Sequence, residues 1–410
     1  MRRTLMHRNQ ALLDFEVDVA EDDVRILDAP DADAAADTPL AAMGLAGPDG
    51  AEFARQIIRE RTLSPNREDL DPILDALGAR SPLELALMGH GLSLMDDLWY
   101  RAPGSTERWE DVNFFDNGWD AGFGTAVLAA DYEGLASCSP DTPDVTTRGS
   151  QVKAWERNED GIRLIKHSLS ESQVDFQGAL LAAELCRRLF GEDAYQPLEI
   201  VERQGARFSA TPLMISRDEE LVQGFRLFAM GGYSLAEARD LCGPALPDTY
   251  ADILTRSDVE NVSACVAQAY AFKALSLLSD MHAGNFGIIR NVETGARRAA
   301  LPFDYDHAFG FPFDDFPVDA VCANPALAAL LCAKNFSDLD PAWDWGWYDP
   351  QALDGFEGLI VEAYEGDGSL PPDFAKLVAR LFVIQRSYVN ELSSTGEGTH
   401  GDTGLSAQGR

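Results

Sequence analysis

The chain has 410 residues, 46% of them hydrophobic, which is enough to bury a substantial core and favours more than one lobe. Its 33 Lys and Arg residues stand against 68 Asp and Glu residues, and the formal net charge of −35 repels nucleic-acid phosphates and anionic membranes. Extensive direct nucleic-acid binding and membrane association are therefore not expected, although a nucleotide can still bind where a divalent cation and a few lysines reverse the local field.

The six cysteines are scattered and include no C-x-x-C pair, so neither a zinc site nor a disulfide framework is indicated. The N-terminus is positively charged but lacks the apolar run of a signal peptide, and no segment approaches the roughly 18 uninterrupted apolar residues of a membrane span. We therefore expect a folded protein of the reducing cytoplasm.

The N-terminal part changes from strand-like to helical character. Residues 11–28 alternate in the manner of β-strands, and Ala29–Pro39, rich in Ala, Asp and Pro, is predicted to be an exposed acidic loop. Between residues 51 and 94 the apolar spacing is helical. This order predicts an accessory region of strands followed by helices over residues 1–115.

Aromatic residues cluster between Trp99 and Phe123. They could form a carbohydrate or peptide platform, but a packed junction is favoured because aromatic side chains supply core area more often than binding surface. The following segment, Ser137–Ser150, is rich in Ser, Thr, Pro and Asp and is predicted to be a loop.

A strand that ends at Lys166 and a helix over Asp175–Phe190 come next, which is typical of a nucleotide-binding lobe. Residues 208–228 are predicted to have further strand character, around Leu213 and Ile215. We assign a mostly β lobe to residues 116–217.

A long apolar helix over Val259–Leu278 leads the chain to Asp280. It belongs to a predicted helical lobe, residues 218–392. The tail, residues 393–410, is rich in Gly, Ser and Thr and is expected to be disordered. Together these segments predict an α+β fold with two lobes and an N-terminal accessory region.

The segment that follows this helix pairs a carboxylate and a carboxamide five positions apart, Asp280 and Asn285, in a Gly-containing loop. Phosphoryl transfer needs such a pair, because an Asp accepts the proton of the attacking hydroxyl while an Asn oxygen holds Mg²⁺ on the phosphates. Asp280 is therefore a candidate catalytic base and Asn285 a candidate metal ligand.

A β-hairpin is predicted after the loop, with strands at residues 286–289 and 299–303 and a turn at residues 291–295. Asp304 lies at its end, where a second carboxylate would return beside the loop and bind Mg²⁺ as a hard oxygen donor. The order Asp, Asn, hairpin, Asp is more specific than D-x-x-x-x-N alone.

Cations and hydroxyls for the phosphates are predicted upstream. Lys166 would reach the phosphates from the end of its strand, although an ordinary solvated lysine is the alternative. The segment Thr146–Lys153 could fold over phosphates or form a surface turn. Its candidate nucleotide-binding residues are Thr147, Gly149, Gln151 and Lys153.

Histidine and carboxylate side chains near the loop admit two interpretations. A transition-metal site of His282, His307 and Asp306 is the less favoured one, because ligand spacing alone does not define a site. We instead expect His282 to brace the catalytic loop by hydrogen bonds and group it with Asp280 as catalytic. The acidic run Phe309–Phe316 receives no catalytic role.

The loop resembles that of the bacterial HipA-like serine/threonine kinases, which read approximately D-R-H-x-x-N-F-G before a hairpin and a Pro-containing motif ending in an aromatic residue and Asp. Here the two segments read Asp280-Met-His-Ala-Gly-Asn-Phe-Gly287 and Leu301-Pro-Phe-Asp304. Weaker likeness extends over residues 91–388.

The resemblance implies a kinase-like fold with two lobes, ATP with Mg²⁺ as cofactors and a protein substrate. It implies Asp280 as the base, Asn285 and Asp304 as metal ligands and Lys166 on the phosphates. The Thr146–Lys153 segment resembles the nucleotide loop of the family, in some members of which a serine is autophosphorylated. Toxin behaviour and an antitoxin-like partner are not implied.

Three features depart from the family pattern. Met281 replaces the usual Arg of the catalytic loop, and Ala179 stands where a helix Glu should pair with Lys166, leaving Gln177 or Glu184 as substitutes. The region up to about His90 does not match the opening subdomain of the family. A pseudokinase-like module that binds nucleotide without turnover, and a small-molecule kinase, are therefore kept as alternatives.

Overall fold

The fold is taken from a computed structural model. It describes these residues: 1–28, 45, 49–169, 173–203, 205–241, 246–309, 324, 336–366, 368 and 370–396. The predicted acidic loop Ala29–Pro39, most of the run Phe309–Phe316 and residues 397–410 of the predicted tail lie outside them.

The N-terminal strands form an antiparallel sheet, as the alternation at residues 11–28 predicts. The strands are β1 (Arg2–His7), β2 (Gln10–Asp18), β3 (Asp23–Asp28) and β4 (Leu98–Arg101), in the order β3-β2-β1-β4. Alternate residues of β2, such as Phe15 and Val17, are buried, so one face of this sheet packs on the core.

Short helices cover the next part of the accessory region and confirm the helical spacing predicted there. They are α1 (Gly50–Glu60), α2 (Leu70–Leu77) and α3 (Pro82–Met88). Ser81 caps α3 by accepting the Glu84 N–H, and Pro82 occupies the first helical position, where its missing N–H costs nothing.

The aromatic cluster is core rather than platform. Five of its rings are at most 2% exposed, those of Trp99, Tyr100, Trp109, Phe114 and Phe123. The elements around them are α4 (Trp109–Val112), α5 (Ala121–Leu128), α6 (Tyr132–Leu135) and a 3₁₀ turn (Pro143–Thr146).

A second antiparallel sheet has the order β5-β6-β8-β7. Its strands are β5 (Lys153–Asn158), β6 (Gly161–Lys166), β7 (Glu199–Arg203) and β8 (Ala206–Pro212), with α7 (Val174–Phe190) between β6 and β7. The predicted strand ending at Lys166 and the helix after it are confirmed. Strand character within residues 208–228 is confirmed by the end of β8 and by the next strand, Glu219–Val222, but Leu213 and Ile215 themselves lie between the two.

The third sheet carries the predicted hairpin, but its strands lie closer to the turn than the predicted ranges 286–289 and 299–303. It has the order β11-β10-β9, with β9 (Glu219–Val222), β10 (Ile288–Asn291) and β11 (Arg297–Ala299). Helices α8 (Phe225–Met230), α9 (Leu235–Leu241), α10 (Pro247–Arg256) and α11 (Val262–Leu275) separate β9 from β10. The long helix predicted before Asp280 is α11.

The C-terminal part is helical, with α12 (Phe356–Tyr364) and α13 (Phe374–Gly396) packed on the main core after a 3₁₀ turn (Pro350–Leu353). The prediction that a disordered tail begins at residue 393 is wrong at its start, because α13 continues to Gly396. Among the described residues, no helix has both the length and the apolar character needed to cross a bilayer. Helices and small antiparallel sheets together confirm the mixed α+β class, while the division into two lobes stays a prediction.

Candidate functional site

Two lysines lie opposite each other at one end of the β5–β6 hairpin. Lys153 is the register partner of Lys166, and both residues are less than 10% exposed. Directly opposite residues of an antiparallel pair project to the same face, so the hairpin presents two ammonium groups together. Burying two like charges is costly without anions nearby, which makes this end of the hairpin suited to an anionic ligand.

Lys166 bridges two carboxylates. Its Nζ lies 3.1 Å from Asp304 Oδ1 and 2.8 Å from Asp306 Oδ2. Burial opposes the charge of Lys166, but Asp304 and Asp306 outweigh it and raise the lysine pKa. Burial likewise opposes ionisation of Asp304, yet Lys166 and then Lys153 hold its pKa well below the usual range. Lys166 is therefore cationic and Asp304 anionic at neutral pH.

Lys153 has a different environment from its neighbour. In the described part of the chain it forms no ion pair within 4 Å, and burial, followed by the charge of Lys166, lowers its pKa to about 8. A Cβ at Gly149 would overlap Lys153 Nζ, and Gly149 has φ +99°, so a glycine is what lets this amine approach the preceding loop.

The predicted nucleotide loop is held by its own side chains. The Thr147 hydroxyl donates to the Pro143 carbonyl (2.9 Å) and accepts from Trp155 Nε1 (2.9 Å), while the Gln151 amide donates to the His167 carbonyl. These bonds occupy the Thr147 hydroxyl, so the loop backbone and Lys153 are the groups best able to bind phosphate. Nucleotide contacts by Thr147 and Gln151 stay predictions.

The predicted catalytic loop is closed on itself. The Asn285 amide nitrogen donates to the Asp280 carbonyl (2.7 Å), and the Asn285 N–H donates to the His282 carbonyl (2.8 Å). Because the amide nitrogen of Asn285 is engaged, its amide oxygen is the atom left to bind a cation. The Gly224 N–H donates to the Ala283 carbonyl and so ties the loop to the start of α8.

Two histidines flank Asp280. His282 Nε2 lies 3.6 Å from Asp280 Oδ1, and His307 Nε2 lies 3.9 Å from Asp280 Oδ2. His282 Nδ1 accepts the Gly284 N–H (2.9 Å), so a neutral His282 carries its proton on Nε2, facing Asp280. This contact supports the predicted bracing role of His282, and the Asp280–His307 approach was not predicted.

All the predicted site residues line one cavity of about 730 Å³. This volume falls within the range of small-molecule sites. The accessory region contributes Glu60, Arg61 and Asp96 to the same wall. The predicted residues that the cavity brings together are Lys153, Lys166, Thr147, Gly149, Gln151, Asp280, His282, Asn285 and Asp304.

An ion pair between the predicted nucleotide loop, Thr146–Lys153, and the predicted accessory region was not predicted from the sequence. Arg148 Nη2 lies 3.3 Å from Oε1 of Glu60, the last residue of α1. Burial raises the pKa of Glu60, and Arg148 opposes that shift. The two residues are 88 positions apart, so local sequence patterns could not predict their contact.

The expected substitutes for the missing helix Glu do not reach Lys166. Glu184 instead pairs with Arg187 (2.6 Å) and Arg188 (2.7 Å). The Gln177 amide oxygen is buried and has no hydrogen-bond partner among the described residues, and Ala179 is buried in the core. The carboxylates on Lys166 come from the segment after the β10–β11 hairpin.

The donors in the cleft fit Mg²⁺ better than a transition metal. Asn285 and the ionised Asp304 offer an amide oxygen and a carboxylate, the hard donors that Mg²⁺ prefers. Within the described ranges, no group of three or more His, Cys, Asp or Glu side chains could hold a metal ion. The alternative site of His282, His307 and Asp306 is therefore unsupported.

Neither a protein-family model nor a curated protein matches this sequence. Several solved structures are similar, including the two that follow. HipA of Shewanella oneidensis MR-1, from a toxin–antitoxin complex with HipB and operator DNA, is 12% identical with a TM-score of 0.51, covering 96% of this chain and 99% of HipA. The Helicobacter pylori proinflammatory kinase CtkA is 13% identical with a TM-score of 0.42, covering 60% of this chain and 94% of CtkA.

The similarity to HipA covers 96% of this chain and therefore includes most of the N-terminal region, although the sequence of that region does not match the opening subdomain of the family. The resemblance drawn from the catalytic loop is confirmed at the level of the fold. Over nearly its whole length, this chain has the fold of HipA.

Proposed function

We propose that this protein is an ATP-dependent phosphotransferase, and most specifically a protein serine/threonine kinase that uses Mg-ATP. The observation that carries the proposal is the convergence of Lys166, Asp280, Asn285 and Asp304 on one cavity. Lys166 ends β6, Asp280 and Asn285 lie in the loop between α11 and β10, and Asp304 follows β11. This is the chain order that phosphoryl transfer requires. The similarity to HipA supports the fold on which such a site would be built.

Each residue has a role that its surroundings allow. Lys166 and Lys153 would hold the phosphates, and the Asn285 oxygen with the Asp304 carboxylate would hold Mg²⁺. When bound, Mg²⁺ neutralises charge that develops on the phosphate oxygens. Because Lys153 is buried without an ion-pair partner among the described residues, an anionic ligand would relieve its unfavourable burial.

Asp280 would take the proton of the acceptor hydroxyl. The acceptor oxygen then forms a bond to the γ-phosphorus, the bond from that phosphorus to its bridging oxygen breaks, and ADP leaves with the electron pair. The Nε2 atoms of His282 and His307, within 4 Å of Asp280, would orient its carboxylate for this step.

A nucleotide-binding module without turnover is the second candidate, and the ion pair between Lys166 and Asp304 favours it. The residue predicted to bind the metal is engaged by the lysine at 3.1 Å, an arrangement that must change before Asp304 can hold Mg²⁺. A protein that keeps this pair could bind nucleotide and still fail to transfer phosphate.

Two measurements on the full chain separate these candidates. Thermal unfolding with and without Mg-ATP reports binding, because a ligand of the native state raises the apparent stability. Transfer of labelled γ-phosphate to the protein itself, casein and myelin basic protein reports turnover. We expect both signals in the wild type and only the first in Asp280→Ala. Binding without transfer in the wild type would favour the module, and absence of both would refute a nucleotide site.

A further inference from the structure

We propose that Asp306 is the carboxylate that positions Lys166 for the phosphates, in place of the helix glutamate of protein kinases. The inference rests on the proposed phosphotransferase function and adds a positioning residue to it. In protein kinases the ion pair between the strand lysine and a helix glutamate must form while a separate aspartate binds the metal. In this protein a different acid must form the ion pair with the strand lysine, Lys166.

Helix α7 cannot supply that acid. It contains two acidic residues, Asp175 and Glu184, and both have other partners. Asp175 accepts hydrogen bonds from the Ser168 hydroxyl and the Leu169 N–H at the start of the helix. Glu184 forms ion pairs with two arginines of its own helix. The position that faces the core where a glutamate is expected holds the buried Ala179.

Asp306 lies where it can form the ion pair with Lys166. Its Oδ2 lies 2.8 Å from Lys166 Nζ, and the two side chains are 12% and 11% exposed, so little water screens the pair. Asp304 lies farther from the amine, at 3.1 Å, and its side chain is 32% exposed to the cleft. Asp306, the more buried acid, can therefore remain paired with Lys166 while Asp304, the more exposed acid, turns to bind a metal ion.

The segment that carries Asp306 is docked on α7. A Cβ at Gly178 would overlap the Ala308 carbonyl oxygen, so α7 and this segment are in backbone contact. Beyond that point the Phe309 N–H donates to the Ser276 carbonyl (2.8 Å), and the Tyr364 hydroxyl donates to the Phe309 carbonyl (3.2 Å). Helix α7 thus still fixes the acid that holds the lysine, through a packed segment rather than through a side chain of its own.

The kinetic test compares Asp306→Asn, Asp306→Glu and the control Glu184→Gln, which removes the acid of α7 that pairs with arginines. We expect Asp306→Asn to raise the KM for ATP and lower kcat by about tenfold each, the scale of a lost charged hydrogen bond. Asp306→Glu should recover part of both losses, and Glu184→Gln should match the wild type. Unchanged KM and kcat in a folded Asp306→Asn protein, with losses in Glu184→Gln, would overturn the proposal.

A second readout needs no nucleotide. Acetic anhydride labels free amines, and peptide mass spectrometry can follow Lys166 in the wild type and both Asp306 variants, with thermal unfolding as the folding control. We expect faster labelling of Lys166 in Asp306→Asn and near wild-type labelling in Asp306→Glu. Equal labelling in all three proteins would refute the ion pair. If the wild type transfers no phosphate, the proposed function fails while this measurement still decides the role of Asp306.

Discussion

The Asn285 amide nitrogen donates a 2.7 Å hydrogen bond to the Asp280 carbonyl, which joins the two ends of the catalytic loop. The bond fixes which atom of the amide is available, because the nitrogen is used inside the loop while the oxygen has no hydrogen bond to the described residues. It also couples the residue proposed to bind Mg²⁺ to the residue proposed to accept the proton. Loop closure and the proposed metal binding are therefore separate contributions of one side chain.

Asn285→Ala should separate those contributions. Loss of one hydrogen bond should lower the free energy of unfolding by about 1 kcal/mol, whereas loss of the metal-binding oxygen should reduce phosphate transfer by about 100-fold or more. Asn291→Ala, at the end of β10 before the hairpin turn, is the matched control and should retain activity. Denaturant unfolding and labelled-phosphate transfer measure the two effects. Activity in Asn285→Ala above half of the control would exclude a metal-binding role.

Lys153→Met should make the protein more stable and bind ATP less tightly. The pKa of this buried lysine is about 8 against an ordinary lysine pKa of 10.5, so removing the charge should raise the free energy of unfolding at pH 7 by up to about 3 kcal/mol. Methionine retains most of the apolar stem. The exposed Lys376→Met is the control and should change neither property.

The same pKa shift gives a pH dependence with a definite sign. Between pH 8 and 10.5 the folded protein has lost the Lys153 proton while the unfolded chain still binds it. The unfolded state then holds more protons, so this lysine makes the free energy of unfolding rise with pH in that interval. Lys153→Met should lack this contribution. Identical slopes for the two proteins in denaturant titrations at pH 8, 9 and 10 would contradict the assigned pKa.

The parts of the site that could be predicted are those that local sequence determines. The loop from Asp280 to Asn285 and the hairpin after it follow from turn residues and from the end of a long apolar helix. The Lys166–Asp306 contact could not be predicted, because it joins residues 140 positions apart. Ile215 misled the strand prediction, since its apolar side chain packs on the third sheet without joining a ladder.

Gly178→Ala should disturb the contact between α7 and the segment that carries Asp306. The added methyl group would overlap the Ala308 carbonyl oxygen, and overpacking of this kind costs about 1–3 kcal/mol. We expect a lower unfolding temperature together with a higher KM for ATP. Gly358→Ala is the matched control, because a Cβ there meets open space in α12 and should stabilise the helix by about 0.5–1 kcal/mol. A Gly178→Ala protein as stable as this control would show that α7 tolerates the displacement.

Glu220→Gln tests the buried ion network behind the site. The Glu220 carboxylate, on a residue that is 1% exposed, lies 2.8 Å from both Arg226 and Arg290, and so joins β9 to α8 and β10. Removing one charge of a buried network leaves the others uncompensated, and we expect a loss of about 3–5 kcal/mol in the free energy of unfolding. The exposed Glu365→Gln is the control.

Lowering the pH should weaken the same ion network in the wild type and so lower its free energy of unfolding. Burial opposes ionisation of Glu220, but Arg226, His7 and Arg290 outweigh it and hold its pKa well below 4.5. The folded state then binds fewer protons than the unfolded chain, so the stabilisation is complete above pH 4.5 and decreases as pH falls below it. Glu220→Gln should lose less stability than the wild type between pH 5 and 3. If the denaturant midpoints of the two proteins fall in parallel over that interval, Glu220 is not responsible for the acid sensitivity. The sheet that follows Asn285 must then be stabilised at neutral pH by other contacts.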